Sequence, residues 1–254
     1  MLHVETQRTR TVEEHAKIVA ELLPPMEPES VPIGAARGRV LARDLVAAVS
    51  LPSFDNSSMD GYAVRAADLA GASEDNPVEL PVSADIPAGR TDVPPLAPGT
   101  AARIMTGAPV PEGADAIVPV EQTDAGTERV RLRVQPAAGA YVRRVGEDTF
   151  AGDVVLTAGT VLGPAHIGLA AAVGAATLEV RRRPRVLLLS TGSELVAPGT
   201  PLRRGQIYES NGPMLTAAVE DAGGEAELLR FVPDDVDQFL TTLAGRVRES
   251  AVDL

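Results

Sequence analysis

The sequence predicts a multidomain chain of the α/β plus β class. It combines a β-rich inserted domain, a linking α+β domain and a partial three-layer α/β domain with a parallel sheet. Three observations support this: a helical pattern opens the chain, short apolar runs broken by Gly and Pro follow, and strand and helix patterns then alternate. Short apolar runs between Gly and Pro are typical of small β domains, and alternating strands and helices are typical of parallel sheets. The predicted boundaries are residues 1–45 with 149–180 for the linking domain, 46–148 for the inserted domain and 181–254 for the α/β domain.

In the linking domain, Thr11 and Glu14 form a capping-box pattern ahead of apolar residues at helical spacing, and Pro24-Pro25 ends the helix. The segment of residues 154–178 contains no Asp, Glu, Lys or Arg, and it is long enough for a membrane span. Its glycines and Pro164 argue against one. We expect a strand, a turn and a short buried helix that begins at Pro164, because proline suits the first helical turn.

Strands of the inserted domain are predicted at residues 78–82, 116–120 and 130–134. Short strands with frequent breakers are also found in small barrels, which are one architecture open to this domain. The sequence therefore predicts a β-rich domain here.

In the α/β domain, the continuous apolar run 186–189 is typical of a strand buried on both faces. Asn211 is predicted to N-cap a helix over residues 213–222, which Gly223-Gly224 closes. A second strand is predicted at 225–232, a helix capped by Asp234 and Asp235 at about 236–249, and the start of a third strand at 251–254. We expect that third strand to continue beyond residue 254 and the domain to be incomplete. The 254-residue chain is accordingly expected not to complete its chemistry.

Composition excludes several classes of function. The chain has 23 Lys and Arg against 35 Asp and Glu, a formal charge of −12, so non-specific nucleic-acid binding is not expected. There is no Cys, and Lys17 is the only lysine, which removes thiolate chemistry and a P-loop lysine. No signal peptide or membrane segment is predicted, and we expect a cytoplasmic protein. His3, His15 and His166 are expected to be structural or surface residues.

Carboxylates beside glycines are the strongest chemical signal. They occur in the loops of residues 54–64, 103–115, 143–148, 190–194 and 232–235. Each has a plain structural alternative, namely an Asp-Gly turn, a solvated turn or a helix cap. The last two loops follow predicted parallel strands, at the sheet edge where such folds bind ligands. There, N–H groups of the helix that follows can hold phosphate, and Glu194 could hold a metal.

Several motifs, in order, resemble the molybdopterin molybdenumtransferases, the MoeA-type family that includes the gephyrin E domain. The motifs are Phe54-Asp55-Asn56-Ser57, Met59-Asp60-Gly61-Tyr62-Ala63-Val64, Arg103-Ile104-Met105-Thr106-Gly107-Ala108-Pro109, Arg144 with Gly146-Glu147-Asp148, Ser190-Thr191-Gly192 with Glu194-Leu195, Gly205-Gln206-Ile207-Tyr208 with Asn211, and Asp234-Asp235. The resemblance covers nearly the whole chain.

The resemblance implies a Mg²⁺-dependent enzyme that takes adenylated molybdopterin and molybdate, cleaves the adenylate to release AMP, and leaves molybdenum on the dithiolene. It also implies a homodimer whose site joins the α/β domain of one subunit to the β domain of the other. The molybdopterin adenylyltransferase is a further candidate partner.

Matching motif by motif, the implied catalytic residues are Asp60, Thr106 and Asp148 on the β side and Glu194 and Asp234 on the α/β side. The implied cofactor-binding residues are Gly61, Gly107, Ser190, Thr191, Gly192 and Asn211, and the implied metal ligands are Glu194 and Asp234. Carboxylates can position Mg²⁺, while Thr106 and the N–H groups of glycine turns can donate to oxyanions.

The sequence departs from the family pattern at two positions, since Ser193 and Glu209 stand where Asp is common. The family's later glycine- and serine-rich loop and C-terminal β domain also lie outside these 254 residues. Two alternatives remain open: a non-catalytic dimeric scaffold of the same fold, and another nucleotide-dependent transferase on the same sheet architecture.

Overall fold

A computed structural model describes residues 10–232, 236–249 and 252–254. The chain forms two compact units. The α/β unit comprises the described residues of 1–43, 158–167 and 177–254, and the β unit comprises 44–157 and 168–176. One unit mixes strands with helices and the other is dominated by strands, which agrees with the multidomain α/β plus β class. The finer division into three domains stays a prediction.

The described residues form four α-helices and fifteen β-strands. The helices are α1 (Val12–Leu22), α2 (Pro164–Ala172), α3 (Asn211–Asp221) and α4 (Val236–Glu249). The strands are β1 (Pro28–Pro32), β2 (Leu45–Val46), β3 (Asn56–Ser57), β4 (Gly61–Val64), β5 (Val78–Ile86), β6 (Ala101–Ile104), β7 (Ala116–Pro119), β8 (Arg129–Leu132), β9 (Val142–Arg143), β10 (Val154–Leu156), β11 (Thr177–Arg181), β12 (Arg185–Thr191), β13 (Leu195–Val196), β14 (Ile207–Tyr208) and β15 (Glu225–Val232).

Helix α1 begins with the predicted capping box. The Thr11 hydroxyl accepts a hydrogen bond from the Glu14 N–H at 3.1 Å, and the Glu14 carboxylate accepts one from the Thr11 N–H at 3.1 Å. These bonds satisfy N–H groups that have no partner within the helix. No side chain of α1 is buried, and Val12 is 81% exposed. Local signals, and not a packed apolar face, therefore define this helix.

The sheet of the α/β unit is built around β12. Strand β15 pairs with it in parallel, and α3, which connects the two strands, packs on both. On the other edge of β12, the Leu254 N–H donates to the Arg185 carbonyl at 3.2 Å and the Leu187 N–H donates to the Leu254 carbonyl at 2.8 Å. This is the bonding pattern of a parallel pair. Residues 252–254 form no strand, however, and residue 251 lies outside the described residues, so the third strand stays a prediction.

The predicted full burial of residues 186–189 is wrong, because all four side chains are only half-buried. A parallel strand is buried on both faces only when helices cover both. Among the described helices, α3 packs extensively on β12, whereas α4 packs chiefly on β15. The strand itself and its parallel pairing are confirmed.

The β unit contains a five-stranded sheet in the order β7-β4-β6-β5-β8. β5 and β6 are parallel, and the other neighbours are antiparallel. β5, β7 and β8 confirm the three strands predicted in this region. A bridge between Thr123, shortly after β7, and Leu132 in β8 connects the two edges of the sheet. The sheet therefore curls toward a barrel.

Alternating side chains of β4 fill both faces of this sheet. Tyr62 and Val64 pack in one cluster of buried residues, together with Leu132. Ala63 packs in a second cluster with Ile104. Because successive side chains of a strand point to opposite faces, β4 is buried on both sides and holds the residue that precedes it in a fixed place.

Helix α2 begins at Pro164 as predicted, and Ala170 within it is buried. The Gly163 N–H donates to Nδ1 of His166 at 3.0 Å, so His166 has the structural role expected of it. Within the three described ranges, the model contains no helix whose length and apolar character would let it cross a bilayer.

Candidate functional site

Asp60 and Thr106 lie side by side in the β unit. Asp60 immediately precedes β4 and Thr106 follows β6, the antiparallel partner of β4. Oδ1 of Asp60 accepts hydrogen bonds from the Thr106 main-chain N–H at 2.7 Å and from the Thr106 hydroxyl at 2.8 Å. No donor in the described part of the chain bonds to Oδ2. Both residues are exposed, so the pair presents one free carboxylate oxygen to solvent.

The contacts of Asp60 also set its charge. The Thr106 N–H, then the Thr106 hydroxyl, hold the pKa of Asp60 below its ordinary value of 3.8, and the Arg103 guanidinium adds a smaller attraction. Hydrogen bonds to the charged form of a carboxyl favour ionisation. Asp60 is therefore a carboxylate at neutral pH, able to accept a proton, hold a water molecule or bind a cation.

Gly61 and Gly107 are glycines for different structural reasons. A Cβ at Gly61 would lie 2.1 Å from the Val118 carbonyl oxygen in β7, so only glycine allows the strands to approach. Gly107 has a φ of +79°, in the left-handed region. Its N–H donates to the Ser57 carbonyl at 2.8 Å, and oxyanion binding there would require that bond to be exchanged. The binding roles of Gly61 and Gly107 stay predictions.

Asp55 joins three loops of the β unit. Its main-chain carbonyl accepts a hydrogen bond from the Val110 N–H at 3.0 Å. Oδ1 of its side chain accepts one from the Val145 N–H at 2.8 Å, and Oδ2 accepts one from Nη1 of Arg144 at 2.6 Å. The loop after β6, the loop after β9 and the segment before β4 are thus held together by one residue.

No functional role was predicted for Asp55 itself, although it lies within a motif of the resemblance. The Val145 N–H, aided by Arg144, holds the pKa of Asp55 below its ordinary value, so the ion pair is present at neutral pH. The predicted catalytic residue Asp148 follows Arg144 in the same loop, and its N–H donates to the Leu51 carbonyl at 2.9 Å. The Asp148 side chain is exposed and makes no hydrogen bond to Asp60 or Thr106.

In the α/β unit, Ser190, Thr191 and Gly192 lie at the carboxyl end of β12. Thr191 pairs with Val232, the last residue of β15, so both strands end at the same sheet edge. A Cβ at Gly192 would lie 2.8 Å from Oε2 of Glu194, and the glycine therefore leaves room for that carboxylate. Ser190 is buried, whereas Thr191 and Glu194 are exposed. Exposed oxygen donors at this edge match the place where parallel sheets bind ligands.

The prediction that Asn211 N-caps α3 is wrong. The helix begins at Asn211, and Ser210 before it makes no side-chain cap bond. Instead, Oε1 of Glu209 accepts a hydrogen bond from the Gly212 N–H at 2.6 Å. Glu209 can cap the helix because its side chain is long enough to reach the N–H three residues further along the chain. Glu209 is 2% exposed, and its N–H donates to the Val196 carbonyl at 2.9 Å. One N–H of the predicted phosphate cradle is therefore already bonded; the cofactor-binding role of Asn211 stays a prediction.

Asp234 and Asp235 lie outside the described residues. Within the described ranges, no group of three or more Asp, Glu or His side chains is placed to hold a metal ion. Glu194 supplies carboxylate oxygens, the donors that Mg²⁺ prefers, and its side chain makes no hydrogen bond to the described chain. Mg²⁺ commonly binds through one or two carboxylates together with substrate phosphates. The donor set at Glu194 fits an ion of that kind.

Fold and candidate residues together define a multidomain protein with exposed carboxylates beside glycine turns in both units. Residues 10–174 match the family model of the MoeA N-terminal region (domain I and II), and residues 187–254 match that of a probable molybdopterin binding domain. The first match alone covers more than half of the 254 residues. The chain belongs to the MoeA family.

Named relatives agree with this assignment. "Molybdopterin molybdenumtransferase 2" of Mycobacterium tuberculosis (strain H37Rv) is 57% identical over 230 residues, covering 91% of this chain and 57% of the relative. "Molybdopterin molybdenumtransferase" of Bacillus subtilis (strain 168) is 38% identical over 231 residues, covering 89% of this chain and 54% of the relative. A crystal structure of the MoeA protein of Pyrococcus horikoshii OT3 superposes with a TM-score of 0.85 at 34% identity, covering 94% of this chain and 64% of that one. The chain therefore spans somewhat more than half the length of the curated relatives it matches.

Proposed function

We propose that this protein is an enzyme of molybdenum cofactor biosynthesis, a molybdopterin molybdenumtransferase. Its proposed substrates are adenylated molybdopterin and molybdate. The adenylate is cleaved with release of AMP, and molybdenum is left on the dithiolene. The family assignment and the names of the relatives support the pathway and the molybdopterin substrate. We further propose that the enzyme depends on Mg²⁺, works in the cytoplasm and receives its substrate from the molybdopterin adenylyltransferase.

The pairing of Asp60 with Thr106 is the observation that carries the reaction. One carboxylate oxygen is fixed by two hydrogen bonds at 2.7 and 2.8 Å, and the other is free. A carboxylate that is ionised and held in one orientation can position an attacking oxygen and accept its proton. In the proposed reaction Oδ2 of Asp60 does this, while Thr106 keeps the carboxylate in place. Asp148 is proposed to act on the same side of the site.

At the sheet edge of the α/β unit, Thr191 and the turn at Gly192 are proposed to bind the phosphate of the adenylate. Exposed hydroxyl and N–H groups at such an edge can donate to phosphate oxygens. Glu194, with Asp234, would hold Mg²⁺, which when bound neutralises charge on the phosphoanhydride. The net charge of −12 makes such local donors necessary, because both proposed substrates are anions.

Molybdate-dependent release of AMP from adenylated molybdopterin tests the proposal, in a protein of the relatives' full length. Asp60→Asn keeps the shape of the side chain but removes its charge, so we expect the rate to fall by about a hundredfold or more. The matched control is Asp75→Asn, an exposed aspartate of the same unit that no motif includes. We expect the control to keep the wild-type rate.

Two results would count against this function. If Asp60→Asn released AMP as fast as the control, Asp60 would be a turn residue with no part in the reaction. If the folded wild-type protein released no AMP with molybdate and Mg²⁺ present, a non-catalytic scaffold of the same fold would be the better conclusion.

We also propose that the protein is a homodimer. The candidate residues are divided between the two units, and in the resembled family the two sets act together across a subunit boundary. Sedimentation velocity at micromolar concentration should show a species of twice the chain mass. A monomer at every concentration tested would contradict the dimer and leave the reaction to be judged by the AMP assay.

A further inference from the structure

A cavity of about 190 Å³ in the α/β unit has an unusually basic wall. Four arginines line it: Arg39, Arg181, Arg182 and Arg183. The rest of the described wall is neutral, with no Asp or Glu side chain. This concentration of positive charge contrasts with the formal charge of −12 of the whole chain. None of the proposed catalytic or cofactor-binding residues that the structure describes is part of the wall.

Two of the arginines pair with carboxylates that are not part of the cavity wall. Arg39, which is 9% exposed, forms an ion pair with Glu29 and donates to the Arg181 carbonyl at 2.7 Å. Arg182 forms a two-bond pair with Asp253, with N···O distances of 2.8 and 2.7 Å. These pairs hold the two guanidinium groups in place and balance their charge.

The other two arginines have no carboxylate partner within the described ranges. Nη1 of Arg181 donates to the Met26 carbonyl at 2.9 Å, and Nη1 of Arg183 lies 3.5 Å from the Gly223 carbonyl. Carbonyl groups satisfy hydrogen bonds but do not neutralise charge. Two half-buried guanidinium groups facing one cavity repel each other and lose hydration, which costs free energy unless an anion offsets it.

We propose that this cavity binds a tetrahedral oxyanion, of the class of phosphate, sulfate or molybdate. The forked donors of Arg match such oxygens in geometry, and each guanidinium keeps N–H groups that the bonds above do not use. A volume several times the roughly 30 Å³ of one water molecule admits a small ion. The wall includes the last residue of β11, the segment between β11 and β12, and the residues just after α3. Because a bound ion would connect these segments, we expect it to stabilise the α/β unit.

Isothermal titration calorimetry of the purified chain tests the site, with phosphate, sulfate and molybdate titrated separately at constant ionic strength in chloride. We expect at least one of these ions to bind with a stoichiometry of one per chain. The ion that binds most tightly identifies which of the three oxyanions the cavity prefers. The Arg183→Gln substitution should weaken binding about tenfold or more, because it removes a charge-assisted hydrogen-bond donor. Its matched control, Arg131→Gln, removes an arginine that pairs with Glu79 and does not line the cavity.

Thermal unfolding with and without the ion supplies a second readout. The ion should raise the Tm of the wild type and of Arg131→Gln, and should raise that of Arg183→Gln less. This measurement also shows that each variant is folded. The proposal is overturned if none of the three ions saturates a site at millimolar concentration. Equal binding by the wild type and Arg183→Gln would overturn it too, because the ion would then bind elsewhere.

Discussion

Asp55 and Arg144 form an ion pair at 2.6 Å although 89 residues separate them in the sequence. The same carboxylate accepts a hydrogen bond from the Val145 N–H, and the Asp55 main-chain carbonyl accepts one from the Val110 N–H. Asp55 therefore positions the loops that carry the proposed catalytic residues, although it makes no hydrogen bond to Asp60. Since misplacement of reacting groups by about 1 Å can cost about a hundredfold in rate, this pair matters to the proposed reaction.

Asp55→Ala removes both side-chain bonds, whereas Asp55→Asn keeps an oxygen that can accept the Val145 N–H. We expect the free energy of unfolding to fall by about 1–2 kcal/mol in the alanine variant and by less in the asparagine variant. Urea denaturation measures both. Asp92→Asn, at a surface pair with Arg90, is the control and should leave the free energy of unfolding nearly unchanged, because water screens the charge of an exposed carboxylate. Equal stability of the wild type and Asp55→Ala would refute the positioning role.

Thr106→Val removes the hydroxyl donor to Asp60 but leaves the main-chain N–H. We expect the pKa of Asp60 to rise toward its ordinary value, because one of the two bonds that favour the carboxylate is lost. Thr106→Ser retains the hydroxyl and should restore the low pKa. NMR titration of the Asp60 carboxyl carbon measures both variants. An unchanged pKa in Thr106→Val would mean that the hydroxyl does not act on Asp60 in solution.

Gly61→Ala places a methyl group 2.1 Å from the Val118 carbonyl oxygen, so β4 and β7 must separate. We expect a loss of stability of about 1–3 kcal/mol or more, as for other overpacked sites. Gly168→Ala is the matched control, because nothing lies within 4 Å of its Cβ position and it is inside α2. At position 168, alanine should raise the free energy of unfolding by about 0.5–1 kcal/mol, because glycine is a poor helix former. Thermal denaturation that ranks the two variants equally would contradict the close approach at Gly61.

The ion pair of Asp253 with Arg182 should make the free energy of unfolding depend on pH in the acid range. The Arg182 guanidinium, then the Arg185 N–H, lower the pKa of Asp253 to about 2 from an ordinary 3.8. The folded state thus binds this proton less readily than the unfolded state. Its contribution to stability is present above about pH 4 and is lost as the pH falls toward 2. The difference in unfolding free energy between the wild type and Asp253→Asn should therefore shrink between pH 4 and pH 2. A difference that stays constant over this range would contradict the ion pair.

Local sequence signals predicted the four helices and the three longest strands, β5, β12 and β15, but missed most of the short strands. The capping box at Thr11 and Glu14, the helix start at Pro164 and the apolar runs of β5, β7, β8 and β12 each depend on residues close together in the chain. Such features follow from backbone hydrogen bonding and side-chain periodicity, which neighbouring residues determine. The motifs also placed Asp60 and Thr106 in one candidate site, because each lies in a recognisable loop.

Tertiary structure decided how these residues contact one another. Thr106 reaches Asp60 because β6 pairs with β4, and Arg144 reaches Asp55 because β9 pairs with β3. Glu209, not Asn211, caps the N-terminal end of α3, because its long side chain reaches the Gly212 N–H three residues further on.

The sequence alone determined the resemblance to the family and the helices that local signals define, together with the single lysine and the absence of cysteine. Contacts between residues far apart in the chain decide which oxygen of Asp60 has no donor among the described residues. They also decide which arginines of the basic cavity have no carboxylate partner among those residues. The physical reason is that a local pattern constrains backbone conformation, whereas hydrogen-bond partners and charge balance arise only when distant segments pack together.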